Sequence, residues 1–150
     1  MQIGSVLRYP KKFNPGQEMI GGYPNFWHLT YMQDGKRLQL ERGINTPQEL
    51  KGADGVFRRP AILISSSPHK VGSEHTPWHD MFDPDNGHIR YFGDAKKPGE
   101  DPGEAPGNKV LLEAFKRQSS HEIEFRRLAP PLLFFQRTSI KGVQKGYVRF

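Results

Sequence analysis

The segment from Trp78 to Lys97 carries the residues of this chain whose types and spacing could do chemistry. Within it, two aromatic side chains, Trp78 and Tyr91, accompany a carboxylate, Asp80. Two flat rings and one hydrogen-bond acceptor are the groups needed to hold and read a single unstacked nucleobase. A carboxylate suits cytosine, whose N4 amine donates, and repels thymine, which presents the acceptor O4. The alternative is that both rings are core residues and that Asp80 only caps a turn.

The same segment contains the elements that must position these groups. The P-D-N-G sequence at 84–87 predicts a tight turn, and the residues from His88 to Phe92 predict a short strand after it. Arg90 is one residue from Tyr91 on that strand, so the two side chains should point to opposite faces. Arg90 is therefore expected to contact a phosphate backbone or the protein itself, rather than to line a pocket.

A metal-dependent nuclease is the competing enzyme hypothesis. It would use His75, His79, Asp80 and Asp83, but Pro77 forbids a regular helix between the two histidines. The strand candidate 124–126 (E-F-R) has arginine where a nuclease motif needs lysine, and arginine cannot act as a base. No catalytic triad and no glycine-rich phosphate loop is present in the sequence. We therefore expect a chain that catalyses nothing and needs neither a metal nor another cofactor.

Composition and charge favour a nucleic-acid partner. The formal net charge is +6 and the isoelectric point is about 9.7, which favours a polyanion. A basic solvated surface is the alternative. The candidate contacts to the DNA backbone are Arg58, Arg59, His79, Arg90, Lys96, Lys97 and Asn108. The absence of cysteine excludes disulfides, and the sequence shows neither a signal peptide nor a membrane-spanning run, so a cytoplasmic location is expected.

The remaining patterns predict a mixed α+β domain spanning 1–150. The main helix is expected at 109–118, with Asn108 as its N-cap and Val110, Leu111, Ala114 and Phe115 as its apolar stripe. A shorter helix start is predicted at 46–49. Strands are predicted at 37–40, 61–64, 121–127, 132–135 and 147–150, with a buried strand or strand-loop at 25–32 and a long surface loop at 98–107. One helix among many short strands favours a strongly curved sheet or a β-barrel.

The sequence also resembles a known family. W-H-D at 78–80, G-H-I-R-Y-F-G-D at 87–94 and N-K-V-L-L-E-A at 108–114 follow the order of motifs in SRA (SET- and RING-associated) domains. The nearest likeness is to the SRA-like N-terminal region of modification-dependent restriction endonucleases of the MspJI, AspBHI and ScoMcrA-like group. The segments at 132–135 and 145–150 continue that likeness, which covers residues from about 60 onward.

The resemblance implies a reader of duplex DNA that flips out a modified cytosine, such as 5-methylcytosine. Trp78 and Tyr91 would stack on the base and Asp80 would read its Watson–Crick edge. Phe92, Asp83 and Asp94 are rivals for pocket roles, because the double-glycine stretch of the eukaryotic readers is replaced here by 93–96 (G-D-A-K). A general basic nucleic-acid-binding module without base flipping is the other alternative. Because the chain stops within a predicted strand, it is expected to be the N-terminal part of a longer restriction protein, whose remainder would supply the nuclease and any homo-oligomer contact.

Overall fold

The computed structural model describes residues 2–32, 37–67, 80–83, 85–91, 99–140 and 146–150. The strands are short, and in chain order they are β1 (Val6–Arg8), β2 (Met19–Ile20), β3 (Tyr23–Pro24), β4 (Ile44–Asn45), β5 (Leu50–Lys51), β6 (Phe57–Arg58), β7 (Ile62–Ser66), β8 (Met81–Asp83), β9 (His88–Arg90), β10 (Leu132–Arg137) and β11 (Tyr147–Arg149). The helices are α1 (Phe26–Leu29), α2 (Pro106–Gln118) and α3 (Ile123–Arg126), and a 3-10 turn spans Pro102–Glu104. The predicted α+β class is confirmed.

A five-stranded sheet organises these elements in the order β1-β11-β10-β7-β4. The pairing of β10 with β7 is parallel, whereas the other pairings in this sheet are antiparallel. The apolar runs in β7 and β10 explain this centre, because a parallel pair is normally buried on both faces. Within the part of the chain that the structure describes, the strands form an open sheet. Of the two predicted forms, a curved sheet or a barrel, no closed barrel is found there.

The two faces of the sheet carry two cores, because side chains alternate along each strand. Leu63, Phe135, Val148 and Leu7 lie on one face, in a cluster with residues of α1. Ile62 and Ile44 lie on the other face, against Ala114 of α2. Helix α2 therefore packs on the face of β7 that carries the side chains of Ile62, Ile64 and Ser66.

The strand or strand-loop predicted at 25–32 is wrong, since residues 26–29 form α1. Asn25 begins this helix, and its Oδ1 accepts from the backbone N–H of Trp27 at 3.1 Å. The Asn25 amide also donates to the carbonyls of Asn14 (2.6 Å) and Gln17 (2.8 Å), and the residue is fully buried. A cap that also bonds to distant backbone thus overrides the strand preference of the aromatic residues.

Two further predictions are wrong because short motifs were overridden by their neighbours. Residues 46–49 form no helix; instead, β5 follows them and pairs with β6 around a turn at Gly52, whose N–H donates to the Val56 carbonyl at 2.9 Å. The strand predicted at 121–127 is the one-turn helix α3, whose residues are not buried. The Ser120 hydroxyl accepts from the Glu122 N–H at 3.1 Å and favours this turn. An alternating pattern predicts a strand only where one face is covered.

The main helix is confirmed, but its start is not. Helix α2 begins at Pro106, and Ala105 occupies the N-cap position, since proline is well suited to the first helical turn. Asn108 is therefore inside the helix and is not its cap. Val110, Leu111 and Ala114 pack inward as predicted, whereas the Phe115 side chain points away from the core and is 68% exposed.

The strands predicted at 61–64, 132–135 and 147–150 are confirmed as β7, β10 and β11. Of the strand predicted at 37–40, only an isolated bridge between Arg37 and Tyr31 is found. β1 has no counterpart among the sequence-based predictions. It pairs with β11, and the backbone N–H of Phe150 donates to the Ser5 carbonyl at 2.9 Å. The loop predicted at 98–107 contains the 3-10 turn and the start of α2 in its described part.

Candidate nucleic-acid interface

The hairpin formed by β8 and β9 positions the two candidate pocket residues that the structure describes. Its register pairs Met81 with Arg90, Phe82 with Ile89 and Asp83 with His88. Continued by one position, this register places Asp80 directly opposite Tyr91. Directly opposed residues of an antiparallel pair have their side chains on the same face. The hairpin therefore presents the carboxylate and the aromatic ring side by side.

The tip of this hairpin is held together by Asp83. Its carboxylate accepts from the N–H groups of Asp85 (3.1 Å) and Asn86 (3.2 Å) and from the Asn86 side-chain amide (2.8 Å). These hydrogen bonds, led by the one from the Asn86 side chain, lower the pKa of Asp83 below its ordinary value. Gly87 has a φ of +67°, which the turn needs and which glycine adopts without strain. Asp83 thus has a turn-forming role that a base-reading role would disrupt.

Asp80 is attached to the central sheet through a buried serine. The Ser66 hydroxyl donates to Oδ2 of Asp80 at 2.7 Å, and Ser66 is only 4% exposed. Ser66 is the last residue of β7, on the face shared by Ile62 and Ile64. Asp80 itself is half-buried. Nothing in the sequence marked Ser66, because a serine at a strand end gains its partner only when the fold brings residue 80 beside it.

Tyr91 is also backed by the core. Its half-buried ring packs against the cluster of Ile44, Ile62 and Ala114, beside Val110 and Leu111 of α2. A ring supported in this way has few rotamers available, so it can offer a fixed surface for stacking. The candidate site therefore combines the Tyr91 ring, which packs against α2, with the Asp80 carboxylate, which is hydrogen-bonded to the sheet.

An aromatic contact adds a second attachment of the hairpin to the sheet. The Phe82 ring lies over Phe134 of β10, with ring centroids 6.1 Å apart and planes 17° apart. Phe82 follows Asp80 by two positions, so both side chains lie on the face of the hairpin turned toward the sheet. Arg90 is exposed and, by the same alternation, lies on the opposite face from Tyr91.

Several predicted residues lie outside the described part of the chain, so their predicted roles stay predictions. They are Trp78, Phe92 and Asp94 of the pocket, His75 and His79 of the metal hypothesis, and Lys96 and Lys97 of the backbone contacts. Among the residues that the structure does describe, no group of three or more potential metal ligands is found.

The two predicted backbone-contact arginines at the β6 end have partners within the protein. Arg58 donates from both terminal nitrogens to Asp54, at 2.9 and 2.6 Å. This bidentate pair is the main reason that the pKa of Asp54 falls from 3.8 to about 2. Arg59 donates to the Pro47 carbonyl and lies 4.0 Å from a carboxylate oxygen of Glu49. A phosphate would have to compete with these partners.

Asn108 faces the protein interior. It is 9% exposed, and its amide donates to the Pro102 carbonyl at 2.7 Å. This bond joins α2 to the 3-10 turn before it, which gives Asn108 a structural role.

No helix in the described ranges is long and apolar enough to cross a membrane.

Comparison with known proteins identifies the family. A model of the family described as "Restriction endonuclease AspBHI N-terminal" matches residues 53–150. No curated protein matches the chain. Two solved structures resemble it over 99% of its length. One is MspJI restriction endonuclease in complex with a 27-mer oligonucleotide, with 42% identity and a TM-score of 0.83.

The other is the DNA recognition domain of the cytosine modification-dependent restriction endonuclease LpnPI, with 22% identity and a TM-score of 0.58, a likeness of fold. The chain spans 34% of the MspJI chain and 56% of the LpnPI chain. The fold, the hairpin and the family match agree with the SRA-like resemblance found in the sequence. The chain belongs to the family of restriction endonuclease AspBHI N-terminal domains.

Proposed function

We propose that this chain binds duplex DNA containing a modified cytosine, 5-methylcytosine or a related base, and takes the flipped base against Tyr91 and Asp80. The single observation that carries the proposal is the geometry of the hairpin. Its register sets the Asp80 carboxylate opposite the Tyr91 ring. Ser66 donates a hydrogen bond to the carboxylate, and the core cluster on the α2 side of the sheet packs against the ring. Family membership and 42% identity to a DNA-bound restriction endonuclease support the same function.

The chemistry of the two side chains fits a cytosine. The Asp80 carboxylate would accept a hydrogen bond from the N4 amine, which thymine lacks. Stacking on an aromatic ring contributes about 1–3 kcal/mol per base, and flipping costs a few kcal/mol. One ring and one charged hydrogen bond therefore come close to offsetting the cost. Trp78 is proposed as the second ring, and Phe92 and Asp94 remain candidates for the pocket wall.

Affinity that does not depend on sequence would come from phosphate contacts. The net charge of +6 supplies the attraction, which weakens as the salt concentration rises because the release of counterions from the DNA becomes less favourable. Exposed Arg90, together with Lys96, Lys97 and His79, is proposed to carry these contacts. Arg58 and Arg59 are secondary candidates because they are already paired, and Asn108 is left out because it faces inward.

The proposed role is that of the recognition module of a modification-dependent restriction system. In this proposal the chain reads the base, and the nuclease chemistry belongs to other parts of a longer protein. The matched MspJI chain is about three times the length of this one, since the chain covers 34% of it.

The test is binding to matched duplexes that contain cytosine, 5-methylcytosine or 5-hydroxymethylcytosine at a single site. We expect a preference of at least several-fold for a modified duplex, with affinity for all three falling as salt rises. Asp80→Ala should abolish the preference and keep most of the salt-sensitive binding. Asp85→Ala is the matched control, because Asp85 is an exposed carboxylate on the same hairpin. Equal, salt-steep binding to all three duplexes would reduce the chain to a general basic DNA-binding module.

A further inference from the structure

We propose that Ser66 is a positioning residue for base reading: it fixes the Asp80 carboxylate in the orientation that receives the cytosine N4 amine. The inference rests on the proposed function and assigns a specificity-determining role to a residue outside the hairpin. It follows from the juxtaposition of a buried hydroxyl on the sheet and a half-buried carboxylate at the open end of the hairpin.

Ser66 is the last residue of a strand that is paired on both sides. Strand β7 lies between β10 and β4, and Ser66 is in register with Gln136 of β10. The next residue back, Ser65, donates its backbone N–H to the Gly43 carbonyl at 2.7 Å. A side chain with a single χ1 angle on a strand fixed from both sides offers its hydroxyl from a nearly constant point.

Asp80 lies just before β8, one position beyond the paired residues of the hairpin. An aspartate in such a position has several rotamers, and only some aim a carboxylate oxygen at a stacked base. A hydroxyl bonded at 2.7 Å to Oδ2 selects among them. The carboxylate is then oriented before the base arrives, so less side-chain entropy is lost on binding.

The alternative is that Ser66 simply needs a hydrogen-bond partner because it is buried, and that Asp80 supplies one. The two interpretations differ in what a substitution changes. A structural hydroxyl affects stability, and therefore binding to every duplex alike. A positioning hydroxyl affects the ratio of affinities for modified and plain DNA.

The experiment measures that ratio for Ser66→Ala, with Ser65→Ala as the matched control. Ser65 is the same residue type on the same strand, but alternation places its side chain on the opposite face. We expect Ser66→Ala to lower the ratio by about tenfold, the effect of a hydrogen bond to a charged group. Ser65→Ala should leave the ratio unchanged. An unchanged ratio in a folded Ser66→Ala variant would overturn the inference.

Combining the substitution with Asp80→Ala tests whether Ser66 acts through the carboxylate. In the Asp80→Ala background, Ser66→Ala should cause no further loss of affinity for the modified duplex. An equal loss in both backgrounds would show that Ser66 acts independently and would contradict the proposal. If Ser66→Ala does not fold, Ser66→Cys takes its place, because the thiol has a similar size but donates weakly. A ratio like that of the unaltered protein would then refute the positioning role.

The two proposals fail in distinguishable ways. If the unaltered chain shows no preference for a modified duplex, the base-reading function itself fails. If the preference exists and Asp80→Ala abolishes it while Ser66→Ala leaves it intact, only the positioning role fails.

Discussion

Replacing Tyr91 separates the two roles that the structure gives its ring. One face of the ring packs against the core cluster that includes Ile62 and Ala114, and the proposed function uses the ring for stacking on a base. Tyr91→Ala removes both contacts, so its effect on binding would be hard to interpret. Tyr91→Leu keeps an apolar side chain against the core and removes the aromatic plane. Tyr91→Phe keeps the plane and removes only the hydroxyl.

The expected magnitudes follow from burial and stacking. Truncating a fully buried aromatic side chain costs about 3–5 kcal/mol, so the half-buried Tyr91 should cost about 2 kcal/mol of unfolding free energy as alanine. Loss of one stacked ring costs about 1–3 kcal/mol of binding, which is about 5- to 140-fold in affinity. We therefore expect Tyr91→Leu to lose this factor on a modified duplex while remaining folded.

The assay is fluorescence anisotropy with a 5-methylcytosine duplex and its plain counterpart, beside thermal melting of each variant. Tyr91→Phe should bind the modified duplex within about twofold of the unaltered protein, because stacking depends on the ring face. If Tyr91→Leu binds the modified duplex as tightly as the unaltered protein does, Tyr91 is a core residue and not a stacking platform. Equal losses on both duplexes would also refute the stacking role.

The remaining predictions concern the proposed second ring, a glycine with a positive φ and an exposed ion pair. Trp78→Ala should weaken binding to the modified duplex by about 1–3 kcal/mol, and unchanged binding would remove it from the pocket. Gly146 has a φ of +88°, and a Cβ added there would have to displace the Arg8 guanidinium, so Gly146→Ala should lower the unfolding free energy in chemical denaturation by more than the cost of about 1–2 kcal/mol that comes from the backbone conformation. Gly4→Ala, at +87° with open space around it, is the control for backbone strain alone. The folded pKa of Asp54 is about 2, below its ordinary 3.8, so its pairing with Arg58 stabilises the fold above pH 3.8 and is lost as pH falls through 2. Asp54→Asn should therefore flatten the dependence of stability on pH between these two values. An unchanged dependence would contradict the pairing.

The strands that could be predicted from the sequence are mainly those formed by runs of apolar residues. β7 and β10 were found from their runs of apolar residues, and β11 from an aromatic and a β-branched residue that follow a turn signal. The one-turn helices α1 and α3 were predicted as strands, because four residues carry too little periodicity to outweigh local hydrogen bonds, the Asn25 cap of α1 and the Ser120 hydroxyl just before α3. Strand β1 was missed because its partner is at the other end of the chain.

Part of the candidate site could likewise be predicted from the sequence, and part could not. Asp80 and Tyr91 were singled out from the sequence because they lie in one segment with a readable turn between them. Ser66 could not be, because it belongs to a different strand and approaches Asp80 only through the fold. Other residues were predicted as DNA contacts from charge or type but have partners within the protein that the sequence did not reveal. These pairs are Arg58 with Asp54, Arg59 with Pro47 and Asn108 with Pro102.

The position of β11 between β1 and β10 has a consequence for how the chain folds during synthesis. β1 is made before its sheet partner, residues 147–149, and cannot pair until about 140 further residues have been made. The parallel pairing of β7 with β10 likewise joins segments about seventy residues apart. Contacts so distant in sequence give a high contact order and slow folding, in the range of milliseconds to seconds. On the ribosome, the edge of the sheet would therefore close last, after the hairpin and α2 have already been made.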